Sequence, residues 1–305
     1  MYARLVSARR TLLLAPLLVL LSGGAVAFFE RGGVTGLGAR PLGMGGAFTA
    51  VSDENSAVFW NPGGLGQLTR AELSGMYAAI YDNNVFYLFT SAAFPMSDAG
   101  IMGLSWQRQD FRISPGHEKE DTFYATFSSA MTESRTFFAG INLKYLKASS
   151  DYPNVSGNGI GLDWGILYRL PLPRYGKEMR FGFSVQDLDT TLQEKGVRET
   201  VPPVLRVGTA YQFERWITLA LDLENLRDRS ISVKDSNRLR AGVESWFFDG
   251  TLGMRLGYVG FATVPGRYSF GTSYRAQDWS VDYAYLGHAG GLGNSHRATF
   301  SLRFG

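Results

Sequence analysis

The sequence predicts an all-β protein: a transmembrane antiparallel β-barrel of about 14 strands, with an N-terminal segment folded into the lumen as a hatch. Three observations lead there. Apolar and polar residues alternate with period two in one segment after another, the connections alternate between short and long, and the abundant glycine falls on one parity of the strands. Composition sets the bounds. With 45% apolar and only 19% charged residues, the 305-residue chain is not disordered in bulk. At a mean hydropathy of -0.07 it is too polar for a polytopic helical membrane protein. The absence of cysteine excludes disulfides, thiolate metal sites, a cysteine nucleophile and a lipid-bearing cysteine.

Residues 1–27 read as a cleaved signal peptide. Arg4, Arg9 and Arg10 form a basic start, Leu12 to Leu21 an apolar stretch about half the roughly 20 residues of a membrane-spanning helix, and Ala25-Val26-Ala27 a small-residue cleavage site. The three leader arginines account for the formal charge of +3, so no basic patch for nucleic acid remains.

Residues 28–68 show no strand alternation and are expected to form the hatch. Glycines there allow close backbone approach, Ser52 or Asp53 can cap a short helix, and Pro62-Gly63-Gly64 stops it. Residues 69–305 supply the barrel. Weaker strands are predicted over 71–80, 84–94, 99–108 and 120–129. From Thr136 onward ten stronger ones follow, beginning with Phe137, Ala139, Ile141, Leu143 and Tyr145 and closing on Ala298, Phe300, Leu302 and Phe304. The greasy parity carries no charge and often ends in Tyr, Trp or Phe, as aromatic girdles at two membrane interfaces require. The opposite parity carries Lys144, Asp163, Arg180, Arg206, Asp222, Glu244, Arg255 and Arg297, together with most strand glycines, which suggests that something packs inside. Connections at 95–98, 130–135, 213–215, 248–250 and 276–278 are short, and those at 109–119, 147–158, 189–201, 225–237 and 287–295 are long. The connections 81–83 and 170–178 fit that rule poorly.

Turn chemistry proposes a register. A hairpin centred on Asp249-Gly250 sets Glu244 across from Arg255, and one centred on Glu214 sets Arg206 across from Asp222. Both are lumen charge pairs, expected to brace the wall rather than to form a selectivity ring. Catalytic and metal sites are not expected. The histidines, His117, His288 and His296, have no zinc-ligand spacing. Ser295 and His296, adjacent in a strand, would point to opposite faces. Asp187 and Asp189 read as solvated acids of a loop, with a cation site the weaker reading. No cofactor is implied.

The run Gly38-Ala39-Arg40, Gly43-Met44-Gly45-Gly46-Ala47, Asp53, Ser56-Ala57, Trp60-Asn61-Pro62 and Gly64-Leu65 resembles the N-terminal signature of FadL-like outer-membrane barrels, especially the PorV/PorQ-like branch. Leu292 to Phe304 resembles that branch's closing strand. The resemblance implies a hatch whose Asn-Pro-Ala corresponds to Asn61, Pro62 and Gly63, with Arg40, Gly43, Gly45, Gly46, Asp53, Phe59 and Trp60 as further hatch or gating residues. It also implies that Phe300, Leu302 and Phe304 form the signal read by the barrel assembly machinery, displaced by one residue because Gly305 follows. The expected setting is the outer membrane of a diderm bacterium, in contact with its lipid. Two roles follow from the resemblance: passage of a hydrophobic small molecule gated by the hatch, or a PorV-like accessory that binds secretion or surface protein partners.

Overall fold

The computed structural model describes Gly36–Gly305 apart from residues 81–83, 114–115, 152–153, 173–176, 195–196, 227–236, 262–265 and 288–293. The leader, the first residues of the 28–68 segment and His288 lie outside the described residues. The segment contains two short helices, α1 (Ala39–Gly43) and α2 (Ala57–Trp60), and a 3-10 helix, Pro62–Gln67. The strands are β1 (Ala71–Ile80), β2 (Val85–Pro95), β3 (Ile101–Ile113), β4 (Gly116–Ala130), β5 (Phe137–Asp151), β6 (Asn154–Leu172), β7 (Lys177–Glu194), β8 (Val197–Thr200), β9 (Val204–Phe213), β10 (Ile217–Leu226), β11 (Asn237–Phe247), β12 (Leu252–Phe261), β13 (Arg267–Arg275), β14 (Trp279–Gly287) and β15 (Asn294–Phe304).

Each strand pairs antiparallel with its neighbours, and β1 pairs with β15 to close the ring. The segments β8 and β9 pair in succession with β7, so fifteen segments make fourteen staves. Closure leaves no free sheet edge, the condition for a sheet to sit in hydrocarbon. The outward parity is apolar: Leu143, Ile160 and Leu256 are 59%, 64% and 64% exposed. Aromatic rows edge this face. Tyr274, Trp279 and Phe300 stack near the short turns, with centroids 5.4 and 6.4 Å apart, and Tyr258 meets Tyr268 at 5.3 Å toward the opposite ends of β12 and β13. Such a face suits a lipid core, where a charged side chain costs about 2–4 kcal/mol at mid-depth.

Two expectations are corrected. Strands β3 to β7 run on through much of the connections predicted at 109–119, 147–158 and 189–201. There Arg108–Asp121 and Arg112–Asp110 ion pairs replace apolar alternation, so the hydropathy pattern fades while the backbone ladder continues. Similarly, β6 and β7 extend until Leu172 pairs with Lys177, so the overlong 170–178 connection shrinks to four residues. The second correction concerns register. Glu244 does lie opposite Arg255, but Arg206 lies opposite Glu224, and Asp222 opposite Gly208. The hairpin closes on Phe213 and Ile217, so its centre is Arg215, one residue beyond Glu214. Glu214 takes a left-handed φ of 51° in this three-residue turn. Moving the centre by one shifts every pair by two, which keeps the face and changes the partner.

Candidate functional site

The described residues of the N-terminal segment, 36–68, are almost all buried, and their contacts are with inward-facing residues of the strands. Backbone meets backbone at the wall glycines. A Cβ at Gly140 would collide with the carbonyl of Pro62, one at Gly182 with that of Thr49, one at Gly242 with that of Met44, and one at Gly257 with the amide of Gly45. Gly165 likewise faces Asn61, and Gly271 faces Gly43. The one-sided glycine bias thus makes room for a second backbone. Gly161 and Gly253 are exceptions, facing Thr190 and Trp246 of the wall itself. Within the segment, Gly45 and Gly46 adopt φ of 68° and 77°, which lets the chain turn sharply after α1.

Polar wall residues hold this backbone at defined points. Asp222, displaced from the predicted pair with Arg206, accepts hydrogen bonds from the amides of Phe48 (2.9 Å) and Thr49 (2.8 Å). Glu72 accepts from the amide of Asn55 at 3.0 Å, Asn142 donates to the carbonyl of Val58 at 2.6 Å, and Ser184 donates to that of Trp60 at 2.9 Å. Gln186 donates to the carbonyl of Phe59. Asn61 donates to Thr49 (2.8 Å) and Ile166 (2.9 Å) and accepts from the amide of Gly63 (3.1 Å), so one side chain shapes the Asn-Pro-Gly turn and fastens it to β6. Trp60 donates to the carbonyl of Leu37 at 2.8 Å and meets Phe59 edge-on, with the Arg206 and Arg240 guanidiniums 5.4 and 5.7 Å from its ring. Pro62 starts the 3-10 helix. Sequence reasoning missed Glu72, Asn142, Ser184, Gln186 and the anchoring role of Asp222. Their inward parity was legible, and their partners are backbone groups that leave no mark in composition.

Two buried charge clusters dominate. Arg40 reaches from α1 to Glu244 with a bidentate pair at 2.7 and 2.8 Å and to Asp53 at 2.5 Å, while Arg255 holds the same Glu244 at 2.6 Å. Glu224 sits among Arg206 (2.7 Å), Arg238 (2.7 Å) and Arg240 (3.2 Å), and Arg240 also donates to the carbonyl of Gly45 at 3.0 Å. Adjacent acids of the segment diverge. Burial opposes the charge on Asp53, but Arg40 and Arg180 outweigh it and hold its carboxyl below the usual range. Burial pushes Glu54 up to about 7, helped by the nearby Asp282 and Glu72 and only partly countered by Arg40. A carboxyl with a raised folded-state pKa destabilises the fold as pH climbs from its ordinary value through the raised one. Stability should therefore fall between about pH 5 and about pH 8, and Glu54→Gln should remove that component of the slope. Thermal unfolding across this range checks it; an identical slope in Glu54→Gln would refute the assignment.

The wall itself is irregular at β7. Its ladder with β6 slips between Ile160, Leu162 and Trp164, and on the other side pairing with β9 stops at Gln186 and resumes with β8 at Thr191. Pro202 and Pro203 fill the gap and have no amide to donate. Asp187 and Asp189 take left-handed φ of 57° and 51°. They are strand residues, correcting their expected place in a loop. Asp187 is buried and paired with Lys144 at 2.5 Å; Lys144 also meets Asp163 at 2.7 Å, and Asp163 accepts from Asn142 at 2.9 Å. Since Asn142 also holds Val58, polar contacts run unbroken from the segment to the irregular wall. Beside them the inner face turns apolar, with Leu146, Ala148, Leu192, Val201 and Val204 all buried.

At the far end Ser295 is buried while His296 faces outward and bonds Tyr283 at 2.7 Å, so the adjacent pair does not form a dyad. Phe300 and Phe304 face outward on β15, 45% and 49% exposed, with Leu302 between them in register with Trp279. Among the described residues no group of acids and histidines has the arrangement of a metal site.

No family model and no curated protein matches the sequence. Solved structures do. The toluene transporter TodX of P. putida superposes with a TM-score of 0.63 at 12% identity, over 88% of this chain and 99% of that one. The fold is that of the toluene-transporter barrels. TbuX of Ralstonia pickettii, another toluene transporter, gives 0.59 at 12% identity, over 88% and 99% of the two chains. A Pseudomonas aeruginosa FadL homologue gives 0.50 at 13% identity, over 84% and 95%.

Proposed function

We propose that this chain is an outer-membrane transporter for hydrophobic small molecules, with the N-terminal segment as a movable hatch. One observation carries the reading: the apolar inner patch of Leu146, Leu192, Val201 and Val204 lies beside the irregular stretch of β7, and both join the segment through Lys144, Asp163 and Asn142. A greasy solute reaching that patch has the weakest part of the wall next to it, and displacement of Val58 loosens the polar cluster beneath that wall. The segment is fastened at separate points by hydrogen bonds and ion pairs in addition to its buried apolar side chains, Phe48, Phe59, Trp60 and Leu65 among them, so hatch movement has to release both kinds of contact while the barrel ladder stays closed. The fold shared with toluene transporters supports the same solute class. The PorV/PorQ-like accessory role draws no comparable support from the geometry.

Uptake of a lipophilic probe into liposomes holding the full chain or a form lacking residues 28–68 tests the proposal. Uptake should occur with the full chain and become faster and less selective after the deletion. No uptake by either form would end the transporter reading.

A further inference from the structure

A cavity of about 480 Å³ lies at the short-turn end, bounded by Arg40, Asp53 and Glu54 of the N-terminal segment and by strand ends and turns of the wall. It has no part in the transport reading. Its carboxylates are already engaged. Glu244 is held by Arg40 and Arg255, and Asp53 and Glu54 by Arg40, while Asp249 projects into solvent from its turn, 3.9 Å from Arg215. Its other arginines are engaged too: Arg180 with Glu178 at 2.5 Å, and Arg303 with Glu72 at 3.0 Å.

Arg275 differs. Among the described residues no carboxylate lies within ion-pair distance of its guanidinium, and its buried Nε has no hydrogen-bond partner. The guanidinium lies over the Trp246 ring, 3.9 Å from its centre, with Arg40 and Arg303 as repulsive neighbours and Glu244 and Asp53 as attractive ones beyond ion-pair distance. This placement holds the fork while leaving its edge donors free, the arrangement that accepts a carboxylate through two parallel hydrogen bonds. Charge selects the ligand further. Five arginines line the cavity, and of these Arg275 alone has no carboxylate within ion-pair distance among the described residues, which suits a small anion with a single carboxylate.

We propose that this cavity binds a small monocarboxylate, with Arg275 as its principal partner. Gln212 and Gln277 line the same cavity and can supply further donors. The polar lining favours a compact acid over a long acyl chain. Because the transport reading does not use this cavity, either can fail without the other.

Isothermal titration of the detergent-solubilised full chain with benzoate, and with benzamide as the uncharged counterpart, tests the assignment. Benzoate should bind saturably and benzamide not. Arg275→Gln should weaken benzoate by about tenfold or more, the loss of a charge-assisted pair. Arg275→Lys, which keeps the charge and loses the fork, should also weaken it and serves if the glutamine variant fails to fold. No saturable benzoate binding, equal binding of benzamide, or unchanged affinity in a folded Arg275 variant would each overturn the proposal.

Discussion

Glu244→Ala should release the N-terminal segment from the wall and lower the thermal stability of the protein. The carboxylate is 1% exposed and holds two buried guanidiniums, Arg40 from the segment and Arg255 from β12. Removing it takes the shared carboxylate from both, leaving Arg40 with Asp53 and Glu54 and Arg255 with Asp282 at 3.7 Å, so the loss falls below the roughly 3–5 kcal/mol of stranding a buried charge outright. The barrel can escape part of that cost in one way, by letting Arg40 and its segment move toward water. Limited proteolysis should then cut within residues 36–68 in the variant and not in the parent, and the uptake assay should show a leak. Glu244→Gln, which keeps the shape and two polar contacts, should behave more mildly. Unchanged protease protection together with an unchanged unfolding temperature would show that the pair does not hold the segment. A leak without loss of stability would instead favour a selectivity role for Glu244 over structural bracing.

Gly257→Leu should have a comparable effect by a different physical route. A Cβ there would overlap the amide of Gly45 and the carbonyl carbon of Met44. Neither can yield easily, because the Gly45 amide donates to Leu42 at 3.1 Å and to Ser269 at 3.0 Å, and the opposing backbone belongs to a ladder between β11 and β13. Overpacking a closed interior costs about 1–3 kcal/mol, and more where backbone rather than side chain must shift. Gly75→Ala is the control, since a Cβ there meets nothing within 4 Å. The expected result is a protease-sensitive segment inside an intact barrel for Gly257→Leu and parent-like behaviour for Gly75→Ala. Equal protection in both would refute close docking at this point.

Much of this was legible beforehand for a definite reason. Period-two alternation records which side of a strand meets apolar surroundings, so strand number and facing could be read wherever that contrast persists. It failed where the outward face becomes polar, which is why β3 to β7 were drawn too short. Register was half legible. Asp249-Gly250 centres its hairpin and places Glu244 against Arg255, whereas the turn at Glu214-Arg215-Trp216 contains no glycine to mark its centre, and Arg206 was given to Asp222 rather than Glu224. In the candidate site, Arg40, Asp53, Asn61 and the wall glycines could be named from motif and parity. Gln186, Asn142 and the irregular stretch of β7 could not, because their roles depend on backbone groups brought near by closure.

The sequence by itself determined the two opposed faces, the antiparallel order of the staves and the presence of room inside, since each follows from residues adjacent or two apart in the chain. Only the tertiary structure decided which charges meet, where the N-terminal segment is fastened and which arginine is left without a carboxylate. Those depend on contacts between residues as distant as Arg40 and Glu244, whose register across the ring is set by the turns together and by no local pattern.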